Sequence, residues 1–210
     1  MKILNLYAGI GGNRKLWGDE HEITAVEWKP EIANIYSHFF PNDKMVVGDA
    51  HQYLLDHFEE FDFIWTSPPC PSNSRIRNIA GVGSGHTKAI YPDMKLYEEI
   101  IFLNHVFCSS GTKFNGKYVV ENVISYYAPL IVPYELEGHY FWSNFIIVNN
   151  MKAVDRAHTK GVSKLEERKQ FDLSMFNIDD KEKILRNCTE PELGLYVFNA
   201  AFKQKQEVLA

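Results

Sequence analysis

The chain has 210 residues, 45% of them hydrophobic, which is enough for one substantial domain with its own core. Its formal net charge is −5, from 22 Lys and Arg against 27 Asp and Glu, which excludes a protein that simply coats nucleic acid with positive charge. Three scattered cysteines argue against a disulfide framework and for a reducing compartment; no apolar run is long enough for a membrane, and the eight histidines lack ligand spacing, so no metal is expected.

The opening, MKILNLYAGIGG, is too short and too glycine-rich for a signal peptide. Within it, ILNLY (3–7) reads as a first strand that runs into a glycine turn. EITAVE (22–27) reads as a second strand, and Pro30, suited to a first helical position, opens a helix to about Phe39. MVVG (45–48) is a third strand, a short helix follows to about His57, and FDFIW (61–65) is the fourth strand. Residues 66–91 form a loop of a length that is usually functional or disordered in a compact domain. Leu96, Ile100, Leu103 and Phe107 recur at helical spacing, predicting a helix over about 93–110 that contains Cys108. YVVE (118–121) is a fifth strand, and this alternation implies parallel βαβ units. Around 134–149 two strand-like runs flank Gly138 and predict an antiparallel hairpin. Residues 150–180 are polar and irregular, and Leu193, Val197 and Phe198, with Ala201 nearby, line one face of a closing helix.

Two segments carry the chemistry. DFIWTSPPCP (62–71) delivers Cys70 just past the end of a predicted strand, and YVVENV (118–123) delivers Glu121 and Asn122 past another. Ligands of open α/β sheets bind outside the carboxyl ends of the strands. A thiol and a carboxylate at that edge suggest covalent catalysis assisted by an acid. Two prolines stiffen the backbone before Cys70, and Arg75 or Arg77 nearby would favour its thiolate. Cys108 and Cys188 fit the role of small buried hydrophobes better. Glu121 could instead cap a turn through Asn122; a carboxyl kept protonated, however, can donate to a ring nitrogen.

The turn containing Gly9, Gly11 and Gly12 allows close approach of a ligand, though it is not a full G-x-G-x-x-G and a structural tight turn would also explain it. Glu27 ends the second strand, where a carboxylate can bind ribose hydroxyls. Asp49 follows the third, placed to accept from an adenine amino group, and Trp28 offers a face for stacking. Either acid could equally be a helix cap or a solvated charge. Residues 150–169 concentrate Lys152, Arg156, Lys160, Lys164, Arg168 and Lys169, a basic segment that suits either a polyanion or plain solvent.

Taken in order, these segments resemble the DNA cytosine 5-methyltransferase family. ILNLYAGIGG is similar to its first cofactor motif, VEWKPEI to its second and GDA (48–50) to its third. SPPCPSNSR resembles the Pro-Cys nucleophile motif, LYEEIIFL (96–103) the helix after the catalytic loop, ENV (121–123) the Glu-Asn-Val motif, and RNCTEPELG (186–194) a late segment that returns to the cofactor. The resemblance implies a Rossmann-like S-adenosylmethionine-dependent methyltransferase fold, α/β, with a mostly parallel sheet and an antiparallel hairpin. It implies catalytic and cofactor-binding residues in 1–148, a reduced target-recognition segment in 149–185 and a returning segment in 186–210.

Under this resemblance the chain methylates carbon 5 of cytosine in DNA: Cys70 adds to carbon 6 of a flipped base and Glu121 donates to ring nitrogen 3. The cofactor is S-adenosyl-L-methionine, with Tyr7, Gly9, Gly11, Glu27, Trp28, Asp49, Pro69, Asn187 and Thr189 around it. Ser72, Arg75, Arg77, Asn122, Arg156, Lys160 and Lys164 would meet DNA. A cytoplasmic setting follows, with a homodimer or a recognition partner left open. Several positions depart from the family pattern. Asn5 stands where Asp is frequent, Pro71 where Gln is, Arg186 where Gly is, and HYFWSNFII (139–147) has none of the arginines that precede the equivalent strand. Two other readings remain: an amino-group DNA methyltransferase, from Ser67-Pro68-Pro69, and a non-catalytic methyltransferase-like subunit that binds DNA or a partner. RNA cytosine methylation shares the Cys and Glu chemistry.

Overall fold

The computed structural model describes residues 1–69, 91–151 and 161–202. The chain order is β1 (Lys2–Leu6), β2 (Glu22–Glu27), α1 (Pro30–Phe39), β3 (Lys44–Val47), α2 (Ala50–His57), β4 (Phe63–Thr66), α3 (Lys95–His105), β5 (Lys117–Val123), β6 (Tyr134–Leu136), β7 (His139–Ser143), α4 (Val162–Lys169), α5 (Lys181–Asn187) and α6 (Pro191–Phe202). The seven strands form one sheet in the order β3-β2-β1-β4-β5-β7-β6. Strands β1 to β5 are parallel; β7 runs antiparallel to β5 and to β6.

Burial explains the order. The ILNL of β1 and the FIWT of β4 are wholly buried, as central parallel strands covered on both faces must be. The KMVV of β3 is only partly buried and lies at an edge. Successive side chains alternate between faces. Leu4, Ile64 and Val120 pack with Leu54 of α2 and Ile100 of α3. Ile3, Phe63 and Val119 pack on the other face with Leu193, Val197 and Phe198 of α6. A third cluster joins Ile35 and Tyr36 of α1 to Leu165 of α4, Phe171 and Leu185 of α5. The β6–β7 turn at Glu137 and Gly138 has φ of 48° and 71°, the positive values that a two-residue hairpin turn with matching twist requires.

Two sequence expectations need correction. The helix after the long loop ends at His105, not near 110, because the chain folds back: Phe107 bridges Lys113 and the Cys108 amide donates to the Thr112 carbonyl at 2.7 Å. Cys108 therefore lies in a tight turn closed by Gly111 at φ 82°, not within a helix. The stretch read as irregular contains α4, whose inward face is Leu165 and Lys169. Its sparse apolar residues hide the helical period, and Gln170, left-handed at φ 60°, closes it.

Candidate active site

From β1 the chain builds outward to β2 and β3, then crosses to the other flank for β4 and β5. The carboxyl ends of β1 and β4 thus bound a topological switch point, where such sheets hold ligands. Tyr7–Gly9 leave β1 there, flanked by Glu27 at the end of β2, Asp49 after β3, Ser67–Pro69 after β4 and Glu121–Asn122 near the end of β5.

The turn after β1 divides its glycines between two tasks. Gly9 has φ 54°, and among the described residues a Cβ built there would meet nothing within 4 Å. A Cβ on Gly11 would strike the rings of Phe40 and Tyr36, and one on Gly12 would strike Cys188 Sγ and the Thr189 carbonyl. Gly11 and Gly12 therefore serve close packing on α1 and on the C-terminal segment. Asn5 and Asn13, both buried, exchange side-chain amide bonds beneath this turn at 2.8 and 3.4 Å. The pair is neutral, which suits an Asn at position 5.

Glu27 clamps the turn. Its Oε2 accepts from the Gly9 amide and its Oε1 from the Lys29 amide, each at 3.0 Å. Each carboxylate oxygen retains acceptor capacity for a ligand hydroxyl. Trp28 beside it is 68% exposed and free of the core, a surface available for stacking. Asp49 caps α2, its Oδ1 accepting from His51 and Gln52 amides at 2.9 and 3.3 Å. Capping uses this one oxygen, and the residue is exposed. Asn187 is exposed in the last position of α5, and Thr189 is half-buried.

On the opposite flank, Pro68 is buried and Pro69 exposed, immediately before Cys70. Asn122 donates from Nδ2 to the Pro68 carbonyl at 2.9 Å, while its Oδ1 accepts from Val123 at 3.0 Å. The strand end carrying Glu121 is thereby tied to the segment that leads into Cys70. Cys70, Ser72, Arg75, Arg77, Arg156 and Lys160 lie outside the described residues; Lys164 is exposed on α4.

Glu121 is 6% exposed, with His139 Nε2 of β7 at 3.8 Å from its Oε1. His139 Nδ1 is 2.9 Å from the Glu137 carbonyl, which can only accept, so Nδ1 carries a hydrogen and Nε2 turns to Glu121. The sequence reading misses His139; only the β5–β7 register, with Val123 opposite His139, brings it there. It also misses Glu99 of α3, 1% exposed, which accepts from Tyr7 and Thr66. Burial first, then the Glu99 carboxylate, push the Tyr7 phenol far above its usual range. Burial also pushes the Cys188 thiol up to about 12, which fits a packing role.

The family model described as C-5 cytosine-specific DNA methylase matches residues 1–99. No match was found among curated proteins. Among solved structures, a DNMT2 mutant of Spodoptera frugiperda is 25% identical with a TM-score of 0.37, covering 58% of this chain and 35% of that one. The methyltransferase EhMeth of Entamoeba histolytica is 14% identical with a TM-score of 0.37, covering 59% of this chain and 38% of that one. The plantazolicin methyltransferase BamL, solved with SAH, is 8% identical with a TM-score of 0.36, covering 58% and 38%. The chain thus spans well under half the length of these three proteins.

Proposed function

On the premise that residues 1–99 carry the C-5 cytosine-specific DNA methylase match, we propose that the protein methylates carbon 5 of cytosine in DNA through a covalent Cys70 adduct. The observation that carries this reading is the Asn122–Pro68 hydrogen bond of 2.9 Å, which couples the Glu121 strand end to the Pro-Pro-Cys segment. An amino-group enzyme would leave that link, and the buried Glu121, without a task.

S-adenosylmethionine is the cofactor that the family match supports. Its fit rests on three features: the space that the described residues leave over Gly9, the spare acceptor capacity of Glu27, and the exposed Trp28 face. When bound it supplies an electrophilic methyl group at the switch point. Glu27 would hold the ribose hydroxyls, Asp49 the adenine amino group, and Trp28 the base. Gly9 lets the backbone approach without a side chain between.

Cys70 as thiolate attacks carbon 6 of a flipped cytosine, forming the sulfur–carbon bond. Glu121 gives its proton to ring nitrogen 3, so the displaced electron pair becomes available at carbon 5. After carbon 5 has gained its methyl group, a base removes the carbon 5 proton. The electron pair left behind expels the Cys70 thiolate, and nitrogen 3 returns its proton to Glu121. His139, whose Nδ1 donates to the Glu137 carbonyl, turns Nε2 toward Glu121 at 3.8 Å and would help to orient that carboxyl.

Incubation with labelled S-adenosylmethionine and DNA of varied sequence, followed by base-resolution mapping, tests the reading. Label at carbon 5 of cytosine is expected. Label on an exocyclic amine would establish the amino-group alternative, and DNA binding without label the non-catalytic one.

A further inference from the structure

The buried carboxylate of Glu99 on α3 gathers three groups from elsewhere in the fold. Its Oε1 accepts from the Tyr7 hydroxyl at 2.6 Å and lies 2.9 Å from His51 Nδ1; its Oε2 accepts from the Thr66 hydroxyl at 2.5 Å. These partners sit just after β1, in the first turn of α2 and at the end of β4. All three lie at the edge that bears Gly9, Asp49 and Pro68. Tyr7 itself is left-handed at φ 55°, a conformation that is rare for a bulky residue and persists only where the surroundings impose it. Its bond to Glu99 is such a restraint.

We propose that Glu99 is a positioning residue of the cofactor pocket, and that it acts through Tyr7 and through a His51 imidazolium that links the start of α2 to α3. The inference rests on the cofactor reading given above. His51 Nε2 also lies 3.4 Å from Glu98, so the doubly protonated ring reaches both carboxylates of α3, whereas the neutral ring can donate to only one. The His51 amide is one of the two from which Asp49 accepts, so a ring held on α3 helps to fix the cap that carries the Asp49 carboxylate. The charged groups acting on His51 from α3 are Glu99, Glu98 and Lys95; Asp49 and Asp93 act on Tyr7, which shares Glu99. The hydrogen bond to Glu99 raises the His51 pKa, against the opposing effects of burial and Lys95. The linkage is therefore present below the ordinary imidazole value and is lost as pH rises through the higher folded value.

Calorimetry of S-adenosylhomocysteine binding between about pH 5.5 and 8.5 tests this with wild type, His51→Gln and Glu99→Gln. The ligand's own amino group titrates alike against all three proteins, so differences between them isolate His51. Wild-type affinity should fall with rising pH relative to His51→Gln, which should be weaker at low pH and lack that component. Glu99→Gln retains the size of Glu99 but not its charge. It should bind roughly tenfold or more weakly, as the loss of hydrogen bonds to a charged group implies, and its pH midpoint should move down. A thermal melt separates this from unfolding, since a purely structural role would not move the midpoint. Identical pH profiles for wild type and His51→Gln, or wild-type affinity and midpoint in Glu99→Gln, would overturn the inference alone. Wild type that binds at no pH would overturn the cofactor reading and this inference with it.

Discussion

Glu27 is a residue whose two oxygens hold two backbone amides, one of them that of Gly9. Glu27→Ala should therefore weaken S-adenosylhomocysteine binding by roughly ten- to a hundredfold, the usual effect of losing hydrogen bonds to a charged group. Calorimetry measures it, and unchanged affinity would remove Glu27 from the pocket. Glu121 makes a different demand. Glu121→Gln should lower kcat while cofactor affinity holds, because its proton is needed only along the reaction path. His139→Ala should also lower kcat, by less, since the imidazole meets Glu121 and not the base. Single-turnover kinetics beside calorimetry separates the two effects. At this scale the sequence shows Glu27 and Asp49, because carboxylates at strand ends are local features. It conceals Glu99 and His139. The Tyr7–Glu99 bond spans 92 residues, and the His139–Glu121 approach depends on hairpin register, neither of which a local pattern encodes.

Among the elements, α4 and α5 are the ones that sequence periodicity misses. Their place is set by a buried charge cluster: Glu190 Oε1 meets Lys169 Nζ at 2.8 Å and Arg168 at 2.7 Å, and Lys169 also donates to the Cys188 carbonyl. A lysine 3% exposed reads in a sequence as a solvated charge, so the helix looks like polar loop. Removing one partner of a buried pair strands the other. Glu190→Ala should destabilise the protein by about 3 kcal/mol, with Lys169 left uncompensated. Urea unfolding measures this, and a midpoint equal to wild type would mean that the cluster contributes nothing. The cluster adjoins Gly12 through Cys188 and Thr189, so the segment after α5 braces the turn that follows β1. By contrast α1 is legible to its first residue, because Pro30 suits that position and Ala33, Ile35 and Tyr36 mark its buried face.

For the whole molecule, strand and helix alternation over the first 122 residues specifies parallel crossovers, and the central burial of β1 and β4 fixes which strand ends meet. The hairpin is visible in the sequence as two runs about Gly138; its pairing with β5 is not, because antiparallel register is a tertiary choice. An acidic chain that holds DNA must concentrate its basic side chains locally. Replacing Lys160 and Lys164 with Ala should weaken binding to all sequences alike and flatten the log–log salt dependence by roughly 0.9 for each phosphate no longer neutralised. Binding isotherms at several salt concentrations measure it; a wild-type slope would make this segment ordinary solvated surface. The central claim, a covalent cysteine mechanism, is tested most directly with DNA containing 5-fluorocytosine, which cannot lose its carbon 5 substituent and so traps the adduct. The account predicts a cofactor-dependent covalent complex with wild type and with Cys108→Ser, and none with Cys70→Ser. A complex that persists in Cys70→Ser, or none in a wild type that methylates ordinary DNA, would contradict it.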